Sequence, residues 1–183
     1  MKKPLFLFVS MAAMAISVCA QSTETFPGVS AANLKQLQSA KRFTAIPLPT
    51  WIPAGFKLEK IESKLGPRVK IEERILAIVY SRALPNGKVQ RFSFEAGFDG
   101  LGDLMYDTTK VIPSSLGKIY LVYEPQDPDE GKKRTNFAMT EWFDVGKTAF
   151  HYNGMFGANE NDTSNAMISL QDTDKILRSV KRF

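Results

Sequence analysis

Residues 74–95 read RILAIVYSRALPNGKVQRFSFE. Arg74 to Arg82 is apolar at odd and even positions alike, so both faces of an extended segment would need at least partial cover, as in an interior strand. Pro85-Asn86-Gly87 supplies the tight turn of a hairpin. Val89 to Glu95 then returns, with Phe92 and Phe94 on one face and Arg91 and Ser93 on the other. An antiparallel pair at the centre of a sheet is the economical reading, and the rest of the chain is placed around it.

Upstream, residues 47–63 read PLPTWIPAGFKLEKIES. Pro47, Pro49 and Pro53 forbid a helix, because each lacks an N–H and restricts the residue before it. Gly55 can turn the chain, and Phe56 to Ile61 begins a strict alternation. Earlier, Ser30 is placed to cap a short amphipathic helix over AANLKQLQSAKRF, with Leu34 and Leu37 one turn apart. Gln21 to Val29 reads as a loose leader. Downstream, Gly97 to Ser115 reads as irregular, Ile119 to Tyr123 as a strand, Pro125 to Lys133 as a charged loop, and Asn136–Phe143 with Thr148–Asn153 as a second hairpin. The tail DTDKILRSVKRF predicts a helix capped by Asp172, with Ile176, Leu177 and Val180 on one face and Arg178, Lys181 and Arg182 suited to its C-terminal dipole. Gly87-Lys88, Gly117-Lys118 and Gly146-Lys147 each introduce a strand, which points to convergent turn chemistry, not a repeat. The expected fold is α+β: a single antiparallel sheet of about six strands with an N-terminal and a C-terminal helix packed on it.

The first twenty residues have the form of a cleaved secretory signal. Lys2 and Lys3 precede the apolar run Leu5–Val18, and Val18-Cys19-Ala20 leads to a cut before Gln21. The run is short for a membrane span, so no span is expected after cleavage. Val18 is a poor fit for the small residue that lipid attachment at Cys19 requires. Cleavage leaves 163 of the 183 residues, and losing Lys2 and Lys3 lowers the net charge from +5 to +3. That charge does not argue for nucleic acid. Cys19 is the only cysteine, so the processed chain has neither disulfide nor thiol. The expected organisation is a signal peptide over 1–20, a leader and short helix over 21–46, and one domain over 47–183, located in the periplasm or secreted.

Several tempting chemistries fail on their own terms. Gly146-Lys147-Thr148 would be a phosphate loop only with glycine where Glu141 stands and a helix following. His151, the single histidine, lies between Phe150 and Tyr152, and no Gly-x-Ser-x-Gly elbow exists to complete a triad. Asp127–Gly131 and Asn159–Thr163 space oxygens as calcium loops do. Ala138 and Leu170 occupy their twelfth positions, where such loops carry glutamate. Glu72, Glu73, Asp99, Asp103 and Glu141 offer carboxylates without a pairing pattern. No catalytic residue, metal site or cofactor is expected. The aromatic residues Phe98, Tyr106, Trp142, Phe143, Tyr152 and Phe156 read mainly as core. With Met105, Met139 and Met155, they leave open an apolar pocket for a lipid or peptide.

Trp51-Ile52-Pro53-Ala54-Gly55-Phe56-Lys57-Leu58, followed by Ile78-Val79-Tyr80-Ser81 and Arg91-Phe92-Ser93-Phe94-Glu95, resembles the C-terminal domain of the MucB/RseB periplasmic regulators of the sigma-E envelope-stress response. It is also similar to an uncharacterised extracytoplasmic domain often attached to anti-sigma factors. The similarity runs from about Pro47 to Arg182, and only the first box is specific. Gln21–Ile46 leaves no room for the regulators' larger N-terminal domain, and their Tyr-Ser-Asp-Gly turn is replaced by Tyr80-Ser81-Arg82-Ala83. The resemblance implies binding or regulation through protein contact, not catalysis. The box itself, Trp51, Pro53, Gly55 and Phe56, reads as a structural lead-in. A sheet edge and the Gly97–Ser115 segment, with Phe98, Asp99, Leu101 and Tyr106, form the expected contact surface. The alternative is a carrier or sensor of an acyl chain in a pocket behind the sheet.

Overall fold

The structure is a computed structural model and describes residues 26–99, 109–123, 138–154 and 165–183. It is α+β, with two helices and a largely antiparallel sheet. The central hairpin is as the sequence requires. β3 (Ile75–Ala83) pairs with β4 (Val89–Gly97), matching Tyr80 to Phe92 and Ile78 to Phe94. β2 (Lys57–Lys64) lies outside β3, and β9 (Thr148–Asn153) lies on the other side of β4. The sheet continues through β7 (Ala138–Thr140) and β6 (Gly117–Tyr123) to β5 (Thr109–Ser114), while β8 (Phe143–Val145) pairs with β9.

The main sheet therefore has eight strands, not about six. Two local features account for the difference. Thr109–Ser114 is a strand despite Pro113, because it lies at an edge, where a missing N–H costs no ladder bond. Glu141 and Trp142 interrupt the expected Asn136–Phe143 strand and divide it into β7 and β8; residues 136 and 137 lie outside the described residues. A separate two-stranded ribbon joins β1 (Pro47–Pro49) to β10 (Val180–Arg182). Val180 is buried as expected, but in this ribbon and not on the helix.

Both helices contribute buried residues to one core. α1 (Ala31–Lys41) starts where Ser30 accepts from the Asn33 amide, and it buries Leu37 and Ala40 while Leu34 remains exposed. α2 (Leu170–Arg178) is capped by Ser169, whose hydroxyl accepts from the Asp172 amide; Asp172 lies inside the first turn and is not the cap. The three Gly-Lys turns share one cause. Gly87, Gly117 and Gly146 all have positive φ, at 79°, 108° and 72°, and glycine takes that conformation without steric cost.

The inner face of the sheet holds Leu58, Ile78, Tyr80, Phe92, Phe94 and Tyr152 in register. Phe92 is the hub. Its ring stacks on Tyr80 at 4.8 Å and lies 5.3 Å from Phe56, 5.6 Å from Tyr152 and 6.1 Å from Phe94. Leu37, Ile176 and Leu177 from the helices and Leu48 and Val180 from the ribbon join the same cluster. The outer face is also partly covered, as the apolar pattern of β3 required. Val79 and Ser93 are buried there, whereas Ile75 is half exposed.

Candidate functional site

The proline box is a structural joint. Pro53 and Phe56 are buried, and Gly55, at φ 85°, turns the chain between them with Phe56 N–H donating to the Pro53 carbonyl. The Arg82 guanidinium stands 4.8 Å over the Phe56 ring, and its Nη1 donates to the Ala54 carbonyl at 2.9 Å. Tyr80-Ser81-Arg82-Ala83 is thus strand, not turn, and Arg82 uses that position to pin the box. Trp51 meets the end of α2 through its backbone and its ring. Its N–H donates to Ser179 Oγ at 3.1 Å, Thr50 N–H donates to the Ser179 carbonyl at 3.0 Å, and the Lys175 ammonium lies 5.4 Å from the indole. The box therefore fastens the chain before β2 to the end of α2.

Of the four expected contact residues, Phe98 and Asp99 are among the described ones. Phe98, just past β4, is half buried and packs against the core, while Asp99 beside it is exposed. Leu101 and Tyr106 lie outside the described residues. Both oxygen-rich segments, Asp127–Gly131 and Asn159–Thr163, also lie outside them. Among the described residues, no group of three or more His, Cys, Asp or Glu side chains could hold a metal ion.

A polar cluster occupies the middle of the outer face. The register sets Glu95 opposite His151 and Ser93 opposite Asn153. Glu95 Oε2 lies 3.4 Å from His151 Nε2, the Ser93 hydroxyl donates to Glu95 Oε1, and the Trp142 ring lies 4.5 Å from the imidazole. His151 Nδ1 is buried without a hydrogen-bond partner. Ser93 gives its proton to the carboxylate and not to the imidazole, so His151 does not activate it as a nucleophile. The hydrogen bond from His151 holds the Glu95 carboxyl below its ordinary value, against the opposing effect of partial burial and with help from Ser93. A carboxylate depressed in the folded state stabilises the fold above its ordinary value of 4.5, and that contribution is lost as pH falls through the lower folded value. Glu95→Gln should therefore unfold at a lower urea midpoint than the native chain at neutral pH, and the two midpoints should converge in acid. A difference that stayed constant across the acid range would contradict the assignment.

Among the described residues the sheet has two open edges, and both have apolar surface beside them. At one end, among the described residues, β5 pairs only with β6, and Val111 faces Tyr120 across the hairpin. These two side chains are 47% and 38% exposed. On the inner side of the same edge, a groove of about 450 Å³ runs between Lys110, Leu121 and Tyr123 of the sheet and Leu170, Asp174 and Lys175 of α2. Lys110 Nζ reaches Asp174 Oδ1 at 2.8 Å. Asp174 is held below the usual carboxylate range, first by its hydrogen bond from Arg178 and further by Lys110, with burial opposing. At the other end, among the described residues, the preceding chain covers β2 as far as Leu58, whose N–H donates to the Gly28 carbonyl. Sequence reading missed Val111 and Tyr120. The available signal was Thr109-Lys110-Val111-Ile112-Pro113, a short β-branched run whose proline marks an edge strand.

Compared with known proteins, the chain matches no family model, no curated protein and no solved structure.

Proposed function

We propose that the chain is an exported, non-enzymatic binding module that works by protein–protein contact in the bacterial envelope, in a regulatory role like that of the MucB/RseB domain it resembles. The observation that carries this reading is the β5 edge, unpaired on its outer side among the described residues, with Val111 and Tyr120 exposed on one face and the α2 groove on the other. An extended segment added to an edge strand gains main-chain hydrogen bonds, and its alternate side chains project to the two faces of the sheet. Val111 and Tyr120 offer apolar contact on one face, and Tyr123 and Leu170 offer it beside the Lys110–Asp174 ion pair on the other. The acyl-carrier alternative calls for room behind the sheet, and there the side chains of Phe92, Tyr152, Leu37, Ile176 and Leu177 form one packed cluster. No described helix is long and apolar enough to cross a membrane, which fits a module that meets its partner through a surface.

Val111 and Tyr120 are better probes than Phe98, because Phe98 packs on the core and its substitution would also cost stability. The test is a crosslinking pull-down from the native envelope, with mass spectrometry of captured proteins and lipids. Val111→Asp and Tyr120→Asp should each reduce capture of the dominant protein partner at least ~10-fold, as expected for desolvated anchor residues, with an unchanged far-UV circular dichroism spectrum and only about 1 kcal/mol of stability lost with the cross-strand pair. Undiminished capture would refute the β5 surface, and stoichiometric lipid with no protein partner would replace the reading with the carrier.

A further inference from the structure

From the opposite edge of the sheet, we propose that the chain self-associates into a two-fold dimer through β2. The covered part of this edge ends at Leu58, and the bulge between Leu58 and Lys60 follows. Among the described residues the edge is open from Lys60 to the end of the strand at Lys64 and on to Leu65. Among the described residues, no backbone hydrogen bond reaches its outer side there, and Lys60, Glu62, Ser63 and Lys64 are all exposed. Side chains in this stretch alternate between two different surfaces. Ile61, Ser63 and Leu65 line a groove of about 350 Å³ against Ala40 and Phe43 at the end of α1. Lys60 and Glu62 line a groove on the outer face, floored by Ile75, Ala77 and Val79.

An open edge with charges and a bulge is normally read as protection against pairing. Here the order of residues makes the strand complementary to itself. Two antiparallel copies related by a two-fold axis at Ser63 keep each residue on its own face. That register sets Ile61 opposite Leu65 of the second copy, twice, on the groove side. It sets Glu62 opposite Lys64 of the second copy, twice, on the outer side. Cross-strand pairs of both kinds stabilise an antiparallel ladder. Phe43, 53% exposed beside the groove, would cover the apolar pairs from above. A register shifted by one residue would put the apolar row of one copy against the charged face of the other. A two-fold axis at Glu62 would oppose Glu62 to itself and Lys60 to Lys64. The bulge and the Gly28 contact end the usable edge near Leu58, so the Ser63-centred register fits the available length.

The interface lies at the far edge from β5 and does not depend on the partner reading. The experiment is sedimentation equilibrium of the full chain over a dilution series, with charge-swapped variants at two exposed positions. The native chain is expected to show a monomer–dimer equilibrium. Glu62→Lys and Lys64→Glu should each weaken it at least ~10-fold, since like charges then face each other across the axis. The double variant Glu62→Lys/Lys64→Glu should restore association towards the native constant. Far-UV circular dichroism of each variant should match the native chain, because Glu62 and Lys64 make only exposed ion pairs, with Lys60 and Glu73. A native chain that remains monomeric throughout would overturn the proposal. So would a double variant at least as impaired as the worse single one.

Discussion

Phe92→Ala should destabilise the protein by about 3–5 kcal/mol, the range for removing a buried phenylalanine and leaving a cavity. Phe92 has no exposed surface and its ring meets four others: Tyr80, Phe56, Phe94 and Tyr152. Those contacts join the proline box, both strands of the central hairpin and β9. The surrounding rings cannot close on the gap easily, because Tyr80 is fixed by its register to Phe92, Phe94 by its register to Ile78 and Tyr152 by its register to Phe94. The loss is large against the ~5–15 kcal/mol of a typical domain, and with Cys19 the only cysteine the chain cannot form an intramolecular disulfide to offset it. Urea unfolding followed by circular dichroism would measure it. Phe92→Leu, which keeps most of the volume, should cost clearly less. Equal losses for the two variants would show that ring stacking, not filled volume, makes Phe92 the hub.

The same geography explains what the sequence made legible. The hairpin of residues 74–95 could be read because its signals are local: an apolar run, a Pro-Asn-Gly turn and a returning alternation. The caps show the limit of such signals. Ser30 was found, but Asp172 attracted the second cap from Ser169, since either residue type fits and the choice depends on where the chain enters the helix. The β1–β10 ribbon was not legible. Pro47-Leu48-Pro49 and Val180-Lys181-Arg182 are too short to carry a period, and each is a strand only because the other lies beside it. The same holds for the candidate surfaces. Val111 and Tyr120 looked like parts of a loop and a strand, and only the hairpin register places them side by side. Phe98 could be named as an aromatic in a stretch without periodicity, but its packing on the core depends on contacts that sequence spacing does not encode.

Gly28→Ala is expected to cost about 2–5 kcal/mol, although Pro27-Gly28 lies in a segment whose composition suggests a loose leader. Two effects add. Gly28 has φ 75°, a conformation that costs an L-residue about 1–2 kcal/mol. A Cβ there would also stand 3.0 Å from Ile52 Cδ1 and 3.1 Å from both Lys57 Cα and the Phe56 carbonyl oxygen, and overpacking of that kind adds about 1–3 kcal/mol. Two of those three neighbours are backbone, which cannot move aside as a side chain can. Gly87→Ala separates the two effects, because Gly87 has a similar φ of 79° with nothing within 4 Å of the added carbon. It should lose only the conformational part, so the difference between the variants measures the crowding. Urea midpoints for the pair would decide, and equal losses would mean that Phe26–Val29 yields to the extra carbon. The tight fit has a structural reason. Phe26 meets Phe183 edge-on at 5.6 Å, and Gly28 accepts the Leu58 amide. The segment thus ties the C-terminus to the start of β2 and covers that edge up to the bulge. Displacing it would uncover the Leu58 amide, lengthen the open edge of β2 and remove the boundary that limits pairing to Lys60–Leu65.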